Sequence, residues 1–192
     1  MATLGTSNAA WAGDRGEPDP QVRALLAAAS DHEGYLTAVA ALCTARFLLP
    51  VVALGDDGGD GPDPDRHAEL QAVMLERADG RRALPAFTGV DTLAGWRPDA
   101  RPVPCRLDEL AAAAVEQDAE AVLVDLAGPH PLVVEGDLLA ELARGRRLVR
   151  LDDGGWAWLF SDLSESGAPI AARDSDNSGG RGSDSAPEGS TG

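Results

Sequence analysis

The apolar positions in the first part of the chain predict two helices. Apolar residues recur at helical spacing over residues 22–29, and Asp19 before them is typical of an N-terminal cap. A second helix is predicted to begin at Ser30, which forms a capping-box pattern with Glu33. Cys43 falls on the apolar face of this helix, so we expect it to be a small buried side chain.

The apolar runs that follow predict strands. Residues 46–54 are typical of a strand that is apolar on both faces, and Pro50 would place that strand at an edge or a bulge. Residues 55–67, rich in Gly, Asp and Pro, predict a flexible acidic loop. The Asp-Gly pair within 78–80 predicts a hairpin. The two prolines of 101–105 suit only an edge strand.

The stretch ALPAFTG, residues 83–89, predicts the passage from a strand to a short helix. Thr88 and Asp91 have nearly the spacing of a capping box, which would start the helix near Gly89. A helix of about two turns has little stability of its own. We therefore expect Phe87 and Trp96 to clamp it to the sheet, which makes these four side chains structural anchors.

The second half of the chain alternates between helical and strand patterns. Residues 108–119 predict a helix whose apolar stripe includes Val115. Residues 120–136 predict two strands around the turn AGPHP. A third helix is predicted at 137–145, and a terminal hairpin at 146–160.

Together these elements predict an α+β fold, with a mixed β-sheet of about five to seven strands and helices packed on it. The expected organisation is a single domain with disordered ends. Residues 1–18 and the Ser/Gly/Asp-rich residues 161–192 carry no periodicity and are predicted to be disordered. The domain itself spans 19–145 and is followed by the hairpin.

Composition and charge narrow the class of protein. Hydrophobic residues make up 44% of the 192 residues, enough for a core, although aromatic residues supply only 4%. The formal net charge of −16 repels phosphate and anionic lipid, so we expect neither nucleic acid nor a membrane as partner. The start of the chain lacks a secretory signal pattern, and the apolar run at 47–54 is too short to span a bilayer. These features favour a cytoplasmic protein.

The sequence indicates neither a catalytic nor a metal site. Cys43 and Cys105 are the only cysteines, and neither has a partner at metal-ligand spacing. The aspartates of the loop do not follow calcium-loop spacing. Nucleophile-elbow, phosphate-loop and dinucleotide motifs are missing as well. We therefore expect a non-enzymatic protein with no metal and no cofactor.

Two functions from different classes stay open at this point. The first is a protein-interaction or regulatory module with an unidentified protein partner, in which Trp156 and Trp158 share one face of the hairpin and offer contacts. The second is a small-ligand or anion-binding domain, or an enzyme of an unrecognised type. It would use Gly128 and His130 of the AGPHP turn with a nearby arginine such as Arg101. The oligomeric state stays open.

Several stretches, taken in order, also resemble a known family. They are ARFLLPVVAL (45–54), ADGRRALPAFTGVDTLAGW (78–96), ARPVPC (100–105), LDELAAAAVEQDA (107–119) and VLVDLAGPHPLVVEG (122–136). This set resembles the SseB N-terminal domain family of bacteria, in its high-GC, actinobacterial type. The resemblance implies that 19–145 is an SseB-like domain. The family name refers to enhanced serine sensitivity, and the resemblance supplies no catalytic residue.

Overall fold

A computed structural model describes residues 11–53 and 70–160 of the chain. The predicted acidic loop at 55–67, the predicted tail at 161–192 and the first ten residues of the predicted disordered start lie outside the described residues.

Five helices and nine strands occur in the described ranges. In chain order they are α1 (Pro20–Ala28), α2 (His32–Leu42), β1 (Phe47–Ala53), β2 (Leu70–Ala72), β3 (Leu75–Glu76), β4 (Arg82–Ala86), α3 (Val90–Trp96), β5 (Arg101–Cys105), α4 (Leu107–Glu116), β6 (Ala121–Val124), β7 (Leu132–Glu135), α5 (Gly136–Ala143), β8 (Arg147–Arg150) and β9 (Trp156–Leu159). The predicted α+β class is confirmed.

The strands form a mixed arrangement. A three-stranded sheet has the order β2-β1-β5, a four-stranded sheet has the order β3-β4-β6-β7, and β8 pairs with β9. A bridge between Leu48 and Phe87 links β1 to the end of β4. All strand pairs are antiparallel except β4 with β6, which is parallel.

The parallel pair determines where the chain can build a site. Parallel neighbours need a crossover, and here the chain passes through α3, β5 and α4 between β4 and β6. The segments that leave the two strands, one beginning at Phe87 and the other at Asp125, therefore emerge at the same edge of the sheet. In open parallel sheets, ligands commonly bind beyond the carboxyl ends of the strands.

The two faces of the sheet are covered unequally. The main core contains Leu84, Val122 and Val134 and also takes side chains from α1, α2, α4 and α5. A smaller cluster on the opposite face joins Leu48 and Phe87 to α3. Successive strand residues point to opposite faces of the sheet. We call the face opposite the main core the outer face, and the second cluster covers its β1 side.

The prediction that Pro50 places its strand at an edge or a bulge is wrong, because β1 is the central strand of its sheet and pairs one to one with β5 through Pro50. The Pro50 carbonyl accepts a hydrogen bond of 3.0 Å from the Val73 N–H. The nitrogen of a strand residue points to the same side as its carbonyl, so the Pro50 ring faces the end of β2, where the ladder stops. On the β5 side, the residue opposite Pro50 is Pro102, and neither proline has to donate an N–H hydrogen bond across this pair. The edge position predicted for 101–105 is confirmed.

Two helix details differ from the sequence-based predictions. The N-cap of α2 is Asp31, not Ser30, and its side chain accepts a 2.7 Å hydrogen bond from the Gly34 N–H. Aspartate caps as well as serine does, so local pattern could not choose between neighbouring positions. Val115 is 50% exposed, and the buried stripe of α4 passes through Ala113 instead.

The predicted disorder of residues 1–18 is wrong for the part from Asp14 onward. Arg46 forms an ion pair of 2.7 Å with Asp14 and donates a 2.6 Å hydrogen bond to the Glu17 carbonyl. The Gly16 carbonyl accepts a 2.8 Å hydrogen bond from the Val90 N–H. These contacts join the segment to distant parts of the chain, and periodicity cannot reveal contacts of that kind.

Candidate functional site

A buried carboxylate lies where β4 and β6 end. Asp125, the first residue after β6, is 1% exposed. Its Oδ1 atom accepts hydrogen bonds from the Thr88 N–H at 2.9 Å and from the Thr92 hydroxyl at 2.6 Å. Its Oδ2 atom accepts one from the Thr88 hydroxyl at 2.5 Å. These bonds tie the start of α3 to the end of β6.

Arg23 of α1 brings the compensating positive charge. Its Nε atom lies 3.5 Å from Asp125 Oδ2 and donates a 2.7 Å hydrogen bond to Thr88 Oγ1. Its Nη2 atom donates to Asp91 at 2.8 Å. A buried charge is tolerated when it is paired and hydrogen-bonded, and Asp125 meets both conditions. We call Arg23, Thr88, Asp91, Thr92 and Asp125 the polar centre.

The capping box predicted from Thr88 and Asp91 is wrong. Gly89 is the N-cap of α3, and no side chain in the described ranges caps this helix by a hydrogen bond. The two polar side chains instead bind Asp125 and Arg23. Sequence reasoning missed Asp125, although a charged residue that directly ends the apolar run VLV was the available signal.

Phe87 and Trp96 meet as the clamp interpretation expects. Their ring centroids lie 5.4 Å apart with an interplanar angle of 31°. Phe87 is fully buried, and Trp96 is partly buried against the same small cluster. Aromatic pairs at this separation attract one another beyond the area that they bury.

The AGPHP turn borders the polar centre. A cavity of about 80 Å³ is lined by Arg23, Leu26, Asp125, Pro129 and His130. The Gly128 N–H donates a 2.7 Å hydrogen bond to the Asp125 carbonyl, so it closes the turn. The arginine beside the turn is thus Arg23. Arg101, the arginine named from the sequence, is an exposed residue at the start of β5, opposite Val51.

A second feature lies on the outer face of the four-stranded sheet. Strand alternation and register place five apolar residues on the face opposite the main core. They are Leu75, Ala83, Ala121, Leu123 and Val133, and we call them the open sheet face. They line a cavity of about 350 Å³ together with charged residues at one end of the strands. The described helices leave this part of the face uncovered, and Val133 is 41% exposed.

The charged rim of this face carries both signs. It contains three arginines (Arg77, Arg81, Arg82) and three glutamates (Glu76, Glu120, Glu135). Arg81 Nε lies 2.6 Å from Glu120 Oε2, and its Nη2 atom lies 3.9 Å from Glu135 Oε2. The hydrogen bond that Arg81 donates to the Glu120 carboxylate raises the pKa of the Arg81 guanidinium.

Comparison with known families assigns this domain. Residues 22–141, well over half of the chain, match the family model described as SseB protein N-terminal domain. The chain belongs to the SseB family. No curated protein and no solved structure matches it. The polar centre and the open sheet face both lie within the SseB domain.

The terminal hairpin lies beyond the matched SseB residues. Trp156 and Trp158 are partly buried and pack against the main core. The Trp156 Nε1 atom donates a 3.2 Å hydrogen bond to Glu33, and Arg150 forms a 2.7 Å ion pair with the same carboxylate. The hairpin is thus fastened to α2. A role for the two tryptophans in binding stays a prediction, and the more exposed apolar side chains nearby are Leu159 and Phe160.

The cysteines of this SseB domain are both buried free thiols. Burial raises the pKa of Cys43, and it raises the pKa of Cys105 to about 12. Thiols with raised pKa values are poor nucleophiles at neutral pH, because the thiolate is the reactive form. Among the described residues there is no group of three or more His, Cys, Asp or Glu side chains placed to hold a metal ion. The helices of the described ranges include none that is long and apolar enough to cross a membrane.

Proposed function

We propose that this SseB-family chain is a non-enzymatic module that binds or regulates a protein partner through the open sheet face. The observation that carries the proposal is the apolar outer face of β4, β6 and β7, whose inner faces already form the core. Strands that are apolar on both faces are typical of sheets that are covered on both sides. In this domain α3 covers only the β1 side of the outer face.

The polar centre supports a non-enzymatic role. Both carboxylate oxygens of Asp125 are engaged by Thr88, Thr92 and Arg23. A general acid or base must reach a proton on a substrate, and a carboxylate that is 1% exposed and saturated with protein donors is poorly placed for that. The centre is better suited to hold α1, α3 and β6 together.

The small-ligand or anion alternative has less support. The cavity beside the AGPHP turn measures about 80 Å³, whereas small-molecule sites commonly measure about 300 Å³ or more. Its arginine, Arg23, already binds Asp91 and approaches Asp125. An incoming anion would have to displace one of these carboxylates and would meet the negative charge of Asp125.

A matched pair of variants tests the proposal. Val133→Arg puts a charge in the open sheet face, and Leu151→Arg puts the same charge at a hairpin residue of similar exposure, 44% against 41%. Tagged full-length chains would be used to recover bound protein, a second copy of the chain included, with quantification by mass spectrometry. We expect the wild type and Leu151→Arg to retain the same protein and Val133→Arg to lose it. Equal recovery by all three chains, or no recovery by the wild type, would overturn the proposal.

Both variants should fold, because each replaces an exposed side chain. Substitutions at such positions usually change the free energy of unfolding by about 0.5 kcal/mol or less. Thermal unfolding of the three chains checks this before binding is compared. The alternative docking region, the tryptophan hairpin, would be indicated if Leu151→Arg lost the partner and Val133→Arg kept it.

A further inference from the structure

The charges around the open sheet face are divided between its two halves. The arginines lie on the β3–β4 side, at Arg77, Arg81 and Arg82. Two glutamates, Glu120 and Glu135, lie on the β6–β7 side. Register places these residues at the same end of the strands, because Ala83 is opposite Ala121 and Ala121 is opposite Glu135. Glu76 of β3 also lies on the arginine side, so three arginines and one glutamate stand on one side and two glutamates on the other. A net positive half and a net negative half therefore flank one apolar centre.

This division is self-complementary under a two-fold rotation. The two-fold axis would run parallel to the strands, between the two facing sheets and above the gap between β4 and β6. Rotation about it would place the β6–β7 half of one copy over the β3–β4 half of the other. Arg81 pairs with Glu120 of its own chain at 2.6 Å, and near the axis it would also face Glu120 of the second copy. Arg77 would face Glu135 of the second copy. Stacked sheets pack about 10 Å apart, so long side chains such as these can meet across the gap.

The charge of the whole chain limits which surface could accept a second copy. The formal net charge of −16 makes two copies repel each other over most orientations. The rim of the open sheet face is an exception, since its three arginines balance its three glutamates. Complementary charge of this kind selects the partner and the orientation of binding.

We propose that the occupant of the open sheet face is a second copy of this chain, bound face to face with Arg81 of each copy against Glu120 of the other. This inference rests on the proposed function, because it names the partner of the same surface. The apolar residues, Leu123 and Val133 among them, form the centre of the interface, and the charged residues form its rim. Interfaces with an apolar centre and a polar rim are the common kind.

A charge-swap experiment tests this arrangement. The full-length wild type, Arg81→Glu and Glu120→Arg would be studied by analytical ultracentrifugation over a range of concentrations. We expect a dimer for the wild type. In a dimer of either single variant, residues 81 and 120 of both copies carry four charges of the same sign around the axis. This repulsion should raise the dimer dissociation constant by about tenfold or more. An equimolar mixture of the two variants restores opposite charges across the interface and should recover the dimer.

The outcomes separate this inference from the proposed function. Failure of the mixture to dimerise, while both variants remain folded by circular dichroism, would overturn the two-fold arrangement. A wild type that stays monomeric at all concentrations would overturn the second copy as occupant. If that monomer still loses a bound protein through Val133→Arg, the proposed interaction role stands with a different partner. If it binds nothing, the proposed function falls as well.

Discussion

The polar centre and the open sheet face lie on the same two strands but use them in opposite ways. At the carboxyl ends of β4 and β6, Asp125 is 1% exposed and each of its oxygens has a partner. Along the outer face of the same strands, Leu123 and its neighbours line a cavity of about 350 Å³. Polar groups are buried and paired in one region, whereas in the other an apolar face that includes the exposed Val133 borders a cavity.

The difference separates what stabilises the fold from what remains available for binding. A buried polar group that is fully paired is already committed to the native structure, and its loss destabilises the protein. Exposed apolar side chains contribute little to the stability of the isolated chain, yet they gain free energy when a partner covers them. Substitutions should therefore affect stability in the first region and binding in the second.

The largest loss of stability is expected from Asp125→Ala. The substitution leaves the Thr88 N–H and the Thr88 hydroxyl without their acceptor and removes one acceptor of the Thr92 hydroxyl. It also removes the buried ion-pair partner of Arg23, which keeps its bonds to Thr88 and Asp91. It also puts alanine at a backbone φ of 49°, which alanine adopts with strain. Removing one partner of a buried ion pair typically costs about 3–5 kcal/mol, and we expect a loss in this range. Urea unfolding followed by circular dichroism measures it.

Asp125→Asn is the matched control for that prediction. Asparagine keeps the shape and one acceptor oxygen and tolerates positive φ, so only the charge and part of the hydrogen bonding are lost. We expect about half the effect of alanine, in the range of about 1.5–3 kcal/mol for hydrogen bonds to a charged group. An alanine variant within about 1 kcal/mol of the wild type would contradict the view that Asp125 stabilises the fold, since point substitutions commonly cost that much.

Trp96→Ala tests the covered side of the outer face. The ring packs against Phe87, with centroids 5.4 Å apart, but it is only partly buried. Complete burial would give a loss of about 3–5 kcal/mol, so we expect about 2 kcal/mol for this residue. Trp96→Phe should recover about half of the loss, because it keeps an aromatic contact with Phe87. Unchanged stability with loss of protein binding would assign Trp96 to the interface instead.

Much of the fold could be predicted because its signals are local. The apolar run that forms β1, the Asp-Gly hairpin with Gly80 at a φ of 84°, and the amphipathic α4 are each determined by neighbouring residues. The position of Pro50 could not be predicted, because it depends on which strands pair with β1. The same is true of residues 14–18, whose contacts run to Arg46 and Val90.

The candidate sites were harder to predict than the fold. The proximity of Phe87 and Trp96 follows from a short helix, so the sequence indicated it. The bond from Thr88 to Asp125 joins residues 37 positions apart and exists only because β4 and β6 are parallel neighbours. The open sheet face could not be predicted either, since an apolar strand does not reveal which of its faces the helices will cover.

The smallest effect is expected at Asp108, where an aspartate–arginine pair lies nearer the surface than Arg23 and Asp125 do. Burial alone would raise the pKa of Asp108, but hydrogen bonding and charge from Arg106 together hold its pKa below the ordinary value. Arg106 is 43% exposed, so solvent screens the pair. We therefore expect Asp108→Asn to cost about 1 kcal/mol or less at pH 6.

The sign of the pH dependence follows from the lowered pKa of Asp108. A carboxylate whose pKa is lower in the folded state stabilises the protein above its unfolded pKa, near 3.9, and loses that contribution as pH falls through the folded pKa. Unfolding free energies of the wild type and Asp108→Asn should thus differ at pH 6 and converge below about pH 4. A difference that stays constant with pH would mean that packing, not charge, sets the effect. A difference as large as that of Asp125→Ala would mean that burial does not distinguish the two ion pairs.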